Sequence, residues 1–296
     1  MSANAPNLFV SQFSTNVGLL LQQKGSKLRG RVTEGSHTGS KQASPLDQVG
    51  SITAQAPAGR FAPKNRTDAA LTRRWLFPID REIDQLFDKF DQLKMITDPK
   101  SKYAENASNA IGRAWDDEII RAAHATSYIG ETGTGTEAWD TAYDVAADFG
   151  SSGTETGLVV PKLIETIRLF EEANVDLDMD PATLIIGPKQ HADLLNQVQV
   201  VSTDFNDRPV LVDGRVKRFL GFDIIVSNRL ALADTDNREC IAFVKSGLYL
   251  GTWQDLQNNV SQRNDLSGEP WNLYTSASFG ATRLEVGRVA KVICDE

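Results

Sequence analysis

Apolar side chains recur at helical spacing in several stretches of the chain. Phe9, Phe13 and Val17 predict a short amphipathic helix within residues 8–22. Residues 79–93 carry a second apolar stripe, and Pro78 precedes it where a helix can begin. A third stripe, made largely of small side chains, predicts a long helix at about residues 99–127. At roughly 1.5 Å per residue this helix is about 40 Å long.

The second half of the chain mixes short helices with short strands. Pro161 and Pro188 each stand at the first position of a predicted helix, and the first of these helices runs to about residue 174. Apolar runs predict buried strands at residues 183–186, 222–226 and 240–244. Residues 209–219 predict a hairpin that turns at Asp213 and Gly214, and residues 283–292 predict a half-exposed strand. Residues 139–149 fit a strand or a helical turn equally well. Because helices and strands are mixed along the chain rather than strictly alternating, the predicted fold class is α+β.

Residues 26–75 differ from the rest of the chain because they are rich in Gly, Ser and Pro and contain few large apolar side chains. A connection of this length without a core of its own is either disordered or functional. We predict a long extended hairpin whose legs are residues 27–34 and 69–75, with the Gly/Ser/Pro-rich middle as its tip.

Charge is distributed unevenly over a chain whose net charge is −8. Residues 1–75 contain 10 basic and 3 acidic side chains, whereas residues 76–296 contain 21 basic and 36 acidic ones. This asymmetry predicts that the basic segment of one copy lies on the acidic body of another. The alternatives are a disordered basic tail and a basic tail that binds nucleic acid.

Two groups of residues are the candidates for this contact between subunits. On an extended first leg the basic side chains at positions 27, 29 and 31 share one face, and two more basic residues end the second leg. Three consecutive acidic residues lie together on the predicted long helix, where such a run more often forms a solvated surface than a catalytic pair. The candidates are therefore Lys27, Arg29, Arg31, Arg73 and Arg74 on one side and Asp116, Asp117 and Glu118 on the other.

A search for catalytic, cofactor or metal chemistry identifies no candidate residue. The Gly-rich residues 130–136 resemble a phosphate loop, but Thr136 occupies the position that requires Lys. The three histidines are isolated from one another, and the two cysteines, Cys240 and Cys294, lack metal-type spacing. The longest apolar run near the N-terminus, residues 17–21, is too short for a membrane span, so we expect a soluble chain.

The order of these parts resembles the major capsid protein of tailed bacteriophages, the fold named after phage Hong Kong 97. Three segments carry the resemblance. The first contains residues 163–175 and 183–195, in which a helix is followed by a strand and by a second helix that Pro188 opens and Leu194-Leu195 closes. The second is Arg218-Phe-Leu-Gly-Phe-Asp-Ile-Ile-Val-Ser-Asn228. The third runs from Phe279 through the Arg-Leu-Glu pattern at Arg283 to Val292 and resembles the family's return strand. Residues 1–79 match this family by architecture only.

The resemblance implies a domain division. It assigns residues 1–25 to an N-terminal arm, 26–78 to an extended loop, and 79–157 to a peripheral domain with its spine helix at about 99–127. Residues 158–270 would form the axial domain, and residues 271–296 the return strand of the peripheral domain.

The resemblance also implies a structural function without enzyme activity or cofactor. The chain would assemble into hexamers and pentamers of an icosahedral head that encloses double-stranded DNA without binding it specifically. Assembly would take place in the host cytoplasm, possible further partners being portal and decoration proteins. The chain starts at Met1 without a long helical pro-segment, which favours a separate scaffolding protein. The alternatives are the shell of a bacterial nanocompartment with the same fold and a nucleic-acid-binding module.

Overall fold

The computed structural model describes residues 20–39, 47–56, 59–60, 63, 66–87, 100–151, 153–197, 211–212, 215–234 and 236–296. The helix predicted within residues 8–22 lies outside these ranges except for its last three residues, which are not helical. The chain divides into two compact units. The first unit comprises Met1–Ser26, Asp80–Ala114 and Gln254–Ser278; the second comprises Lys27–Ile79, Trp115–Trp253 and Phe279–Glu296.

The elements confirm an α+β protein. In the first half they are β1 (Thr33–Ser36), β2 (Asp47–Val49), β3 (Leu71–Trp75), β4 (Ile79–Phe87), α1 (Lys100–His124), β5 (Ser127–Ile129), β6 (Gly135–Glu137) and β7 (Asp144–Val145). The second half contains α2 (Val160–Glu172), β8 (Ala182–Ile186), α3 (Pro188–Asn196), β9 (Leu211–Val212), β10 (Arg215–Val216), β11 (Arg218–Phe219), β12 (Phe222–Val226), β13 (Asn237–Val244), β14 (Leu248–Gln262), β15 (Trp271–Arg283) and β16 (Val289–Asp295).

A six-stranded sheet in the order β11-β12-β8-β13-β16-β7 forms the core of the second unit. β8 pairs in parallel with β12 and antiparallel with β13, so the sheet is mixed. All five residues of β8 are buried, as are the last five of β13. The apolar runs at residues 183–186, 222–226 and 240–244 therefore correctly predicted the central strands, because strands covered on both faces contain continuous apolar sequence.

Helix α2 covers this sheet beside β16. Pro161 stands in its first turn, as predicted, because a first-turn residue has no intrahelical acceptor for an N–H. Leu163, Leu169 and Phe170 lie on its buried face, and the ring of Phe170 is 6.4 Å from that of Phe222. Full burial of each such side chain stabilises the fold by about 1.5–3 kcal/mol.

The long helix is confirmed as α1, which ends at His124 rather than near residue 127. Its predicted apolar face is buried at Ala107, Ile111, Trp115 and Ile119. The helix ends early because the chain turns into β5 at Ser127 and pairs there with β6.

The helix predicted after Pro78 is wrong: Ile79–Phe87 is a strand. Ile83, Gln85 and Phe87 are half-buried while Asp84 and Leu86 are exposed, which is the two-residue period of a strand. β4 is the neighbour of β15 in its sheet. Within the first unit, the Tyr274 hydroxyl donates a hydrogen bond of 2.9 Å to Glu82. Strand pairing outweighed the local helical spacing here; residues 88–93 lie outside the described part of the chain.

The predicted pairing of residues 27–34 with residues 69–75 is also wrong. Residues 29–31 form a 3-10 turn, and β1 pairs in parallel with β14 from Thr33↔Tyr249 to Ser36↔Thr252. The second leg, β3, instead pairs antiparallel with β2, and on its other side with β5. The hairpin of the loop is therefore β2–β3, and its first leg begins at Asp47.

Three further predictions were partly right. β9 and β10 form the predicted antiparallel pair, whose turn lies outside the described residues, but the second leg is divided into β10 and β11. The strand expected at residues 283–292 is interrupted by a 3-10 turn at Val286–Arg288. A Cβ at Gly287 would lie 2.9 Å from Ala173, so the turn approaches α2 too closely for a larger residue. Residues 139–149 contain a 3-10 turn at Thr141–Tyr143, followed by β7.

We expect acid to weaken the attachment of β1 to β14. His37 follows β1, its Nε2 is 3.1 Å from the Tyr249 hydroxyl, and burial lowers its pKa. Because the unfolded chain then binds a proton more readily than the folded chain, the free energy of unfolding should fall as the pH drops below about 6.5. Thermal unfolding between pH 7.5 and 5 checks this, since His37→Gln should show a shallower decline than the wild type. If the melting temperatures of the two proteins fell equally with pH, His37 would not be the group responsible.

Candidate functional site

The basic residues at the start of the loop do not share one face of an extended strand, as the sequence predicted. The backbone turns at residues 29–31, and each side chain has a different partner in its own chain. The Lys27 ammonium group donates 2.8 Å to the Val226 carbonyl. The Arg29 guanidinium lies 4.3 Å from the Trp115 ring, and Arg31 pairs with Asp223 at 2.5 Å.

The acidic residues of α1 are not a solvated face, because two of the three are buried. The Asp116 side chain is fully buried, and its carboxylate accepts backbone N–H groups from Lys27 at 3.0 Å and from Leu28 at 3.1 Å. Leu28 is itself completely buried. Asp116 thus satisfies the backbone at the entry to the 3-10 turn, as a capping residue does, although it lies almost 90 positions away in sequence.

The other two acids of the run form ion pairs. Asp117 binds the guanidinium of Arg229 through both oxygens, and this pairing raises the pKa of Arg229. Glu118 is only 4% exposed and accepts a 3.0 Å hydrogen bond from Arg121 one turn later on α1. Asp117 and Arg121, which are four residues apart on α1, therefore belong to two separate ion pairs.

The two arginines at the end of the loop stabilise the hairpin and its neighbouring strands. Arg73 donates to both oxygens of Asp47, at 2.6 and 2.9 Å, across the β2–β3 pair. Arg74 is buried and pairs with Glu137 of β6. All eight candidates therefore have contacts within their own chain, and the contact between subunits stays a prediction.

The hairpin β2–β3 exposes an apolar surface that sequence reasoning missed. Val49 and Leu71 are directly opposite each other, and they are 69% and 74% exposed. Ile52, just beyond the strand, is 64% exposed. Such grouped apolar exposure is typical of a surface that another molecule covers. The two-residue alternation with polar Gln48 and Thr72 was a signal that could have revealed it.

Arg283 is a buried charged residue, and its burial could not be predicted from the sequence. Its side chain is 1% exposed and donates to the carbonyls of Ala123, Ala125 and Ala138, at 2.8, 3.1 and 3.4 Å. Its guanidinium also lies 5.0 Å from the Trp139 ring. Burial lowers the pKa of Arg283 to about 10, so the group remains charged at neutral pH. It satisfies carbonyls where α1 ends, where intrahelical donors are missing.

The described residues include a fully buried lysine but no metal site. Lys162 of α2 donates to the carbonyls of Thr156 at 2.6 Å and Ile293 at 3.0 Å, and burial lowers its pKa. Cys240 and Cys294 are free and buried; the hydrogen bond between them and their burial raise the pKa of Cys240. Over the described ranges, no group of three or more His, Cys, Asp or Glu side chains could hold a metal ion.

Two cavities of the second unit are lined by charged side chains that have partners. One cavity of about 360 Å³ is lined by Asp117, Arg121, His124, Arg229 and Glu239, together with apolar residues. His124 Nδ1 lies 3.7 Å from Glu239, and this contact is the main reason that the pKa of Glu239 is lowered. Another cavity of the same size is lined by Trp75, Phe77 and Tyr128 and has Arg121 as its charged residue. No helix in the described part of the chain is both long and apolar enough to cross a membrane.

Comparison with known proteins identifies the fold and the family. No curated protein sequence matches the chain. The capsid structure of cyanophage P-SCSP1u matches with a TM-score of 0.76 and 16% identity, covering 99% of this chain and 95% of that one. The capsid of cyanophage Pam1 matches with a TM-score of 0.72 and 12% identity, covering 98% and 97%. A structure of Mycobacterium phage Che8 matches with a TM-score of 0.71 and 14% identity, covering 97% of each chain.

These structural similarities confirm the predicted fold of the Hong Kong 97 type. At sequence level, the family model described as phage capsid protein matches residues 5–296, almost the entire length. The chain therefore belongs to the phage capsid protein family.

Proposed function

We propose that this chain is the major capsid protein of a tailed phage, which assembles with copies of itself into the icosahedral head around double-stranded DNA. The family match over residues 5–296 is the observation that carries the proposal. We further propose that the copies form hexamers and pentamers in the host cytoplasm, without enzyme activity, with separate scaffolding, portal and decoration proteins as possible partners. The predicted arm, loop, peripheral and axial domains are part of this proposal.

The exposed surface of the β2–β3 hairpin supports an assembly function. Val49, Ile52 and Leu71 expose most of their side chains in the isolated subunit. Covering each of them on a neighbouring subunit would contribute up to about 1.5–3 kcal/mol, reduced by the cost of ordering the loop. The term is repeated at every subunit of a closed shell, so modest contacts suffice for a stable particle.

The charge of the body supports enclosure of DNA without specific binding. Residues 76–296 contain 36 acidic and 21 basic side chains, so their net charge repels phosphate. Screening over about 8 Å at physiological salt keeps this repulsion local, and DNA can be held close to the shell without being bound by it.

Electron microscopy of the purified full-length chain, alone and with its scaffold if one is required, tests the proposal. We expect closed particles of uniform diameter. Extraction of nuclease-protected DNA from particles produced during infection would separate a phage head from a nanocompartment, which would contain enzyme instead. A chain that stays monomeric under all these conditions, or binds DNA with sub-micromolar affinity at physiological salt, would contradict the proposal.

The basic-to-acidic contact between subunits is best tested at Lys27. Its backbone N–H binds Asp116, whereas its exposed side chain donates only to a carbonyl, so Lys27→Glu leaves the backbone contact in place. We expect a lower yield of closed particles, because the reversed charge would face acidic groups of the next subunit. Lys189→Glu is the matched control, which changes an exposed lysine of α3 outside the loop and outside the candidate set. Equal yields from both variants would show that the loop is held by other contacts.

A further inference from the structure

A glycine in the interior of α1 has a packing role that the family assignment does not explain. Gly112 lies in the middle of a 25-residue helix, where glycine is less favourable than alanine. A Cβ at this position would lie 2.6 Å from the carbonyl carbon of Gly25, 2.7 Å from its Cα and 2.8 Å from the nitrogen of Ser26. These are backbone atoms, so the segment could not accommodate a side chain by rotating one of its own. Gly112 is therefore the point where the chain crosses α1 in direct contact.

Two further residues on the same face of α1 hold this crossing segment, residues 22–26, by hydrogen bonds. Asn109 is 8% exposed, and its Oδ1 accepts the N–H of Gly25 at 3.0 Å. The Arg113 guanidinium donates to the side-chain oxygen of Gln22 at 2.7 Å and to the carbonyl of Gln23 at 3.1 Å. Residues three and four apart lie on one helix face, so Asn109, Gly112 and Arg113 form a single seat.

The backbone conformation of the crossing segment allows it to pack against the seat. Gly25 has a positive φ of 64°, a conformation that other residues rarely adopt, and it turns the backbone N–H towards Asn109. The side-chain amide of Gln23 donates 3.0 Å to the Gly25 carbonyl and closes the turn. Immediately before this segment, Leu20 and Leu21 are 89% and 105% exposed. Within the described part of the chain, the seat is thus the first place at which the N-terminal region is fixed to the body.

We propose that Asn109, Gly112 and Arg113 are positioning residues for assembly: by holding residues 22–26 against α1, they set where the apolar sequence that precedes this segment can contact a second copy. Residues 1–19 contain no charged side chain and include Phe9, Phe13 and Val17, a composition suited to an apolar contact with a second copy. This inference rests on the proposed function. The inference adds to the proposed function the contact on α1 that positions the N-terminal arm.

Gly112→Ala in the full-length chain tests the proposal, because the substitution should stabilise helix α1 while it displaces the segment that crosses the helix. Alanine favours the helix, so the folded subunit should retain its helix content and its melting temperature. The added Cβ should nevertheless displace residues 22–26. We expect trypsin to cleave after Lys24 on the order of tenfold faster, since local opening exposes the site, and the yield of closed particles to fall to background. Gly30→Ala is the matched control, because a Cβ there meets no atom within 4 Å.

The outcomes separate this inference from the proposed function. If the wild type and Gly30→Ala assemble while Gly112→Ala is cleaved faster and does not assemble, the inference is supported. If all three assemble with equal cleavage rates, the inference fails and the proposed function stands; if the wild type forms no particle, the proposed function itself fails. Loss of particles without faster cleavage also overturns the inference. Should Gly112→Ala be insoluble, Asn109→Leu, which removes the acceptor for Gly25, decides the question by the same two measurements.

Discussion

Arg283→Met is expected to lower the free energy of unfolding of the subunit by about 3–5 kcal/mol. The guanidinium supplies the carbonyls of Ala123, Ala125 and Ala138 with hydrogen-bond donors in an environment closed to water. Methionine has a similar length but no donor, so these carbonyls would be left unsatisfied. Relief from burying a charge offsets part of the loss, but each unsatisfied buried group costs about 1–3 kcal/mol.

Chemical denaturation of the unassembled subunit measures this effect. Arg283→Lys should be intermediate, because an ammonium group keeps the charge but cannot reach all three carbonyls from one nitrogen. Arg168→Met on α2 is the control: Arg168 is 48% exposed and pairs with Glu165 and Glu172, so its loss should change the free energy of unfolding by about 1 kcal/mol or less. If Arg283→Met were as stable as this control, the three carbonyls would have to find other donors.

Replacing residues 51–69 with the dipeptide Asn-Gly is expected to abolish closed particles while the subunit stays folded. The Gly50 N–H donates 2.7 Å to the Ala70 carbonyl, so a two-residue turn can join these positions without disturbing β2 and β3. Among the described residues of the excised stretch, all but Ala69 are exposed, so the core loses little. In the proposed assembly, the loop reaches over the next subunit, and the excised chain would lose this contact.

A second variant separates the reach of the loop from its apolar contacts. Val49→Ser, Ile52→Ser and Leu71→Ser together keep the loop length but remove the exposed apolar side chains. We expect fewer particles from this variant and none from the excised chain, as judged by sedimentation and electron microscopy at equal melting temperature. Normal particles from the excised chain would show that the loop is not required for assembly.

Local sequence patterns predicted the elements whose environment is uniform along their length. The helices α1 and α2 and the strands β8, β12 and β13 were identified because continuous or regularly spaced apolar residues reflect burial against one core. Residues 79–87 were assigned wrongly because their apolar positions fit both periods. Pairing in a sheet decided in favour of the strand, and no local signal reports a partner almost 200 residues away.

The candidate residues for the contact between subunits also show what local sequence can and cannot predict. The sequence predicted a contact between subunits from the basic start of the loop to the acids of α1, which stays a prediction; within one subunit, Asp116 binds the backbone N–H of Lys27. It could not show that this contact is within the subunit, that Asp116 is buried, or that Asp117 binds Arg229. Which acid meets which base depends on how distant segments are brought together, whereas composition fixes only the number of charges.

Local sequence was sufficient to predict the α+β class, the central strands, the long helix, the basic–acidic asymmetry and the resemblance to phage capsid proteins. These properties follow from composition and from short-range periodicity, which are present in any conformation of the chain. Packing between distant segments is what buries Arg283 and Lys162, makes Gly112 a crossing point and pairs β2 rather than residues 27–34 with β3. Each of these features depends on contacts between residues far apart in sequence. Such contacts stabilise the chain only after folding has brought the residues together.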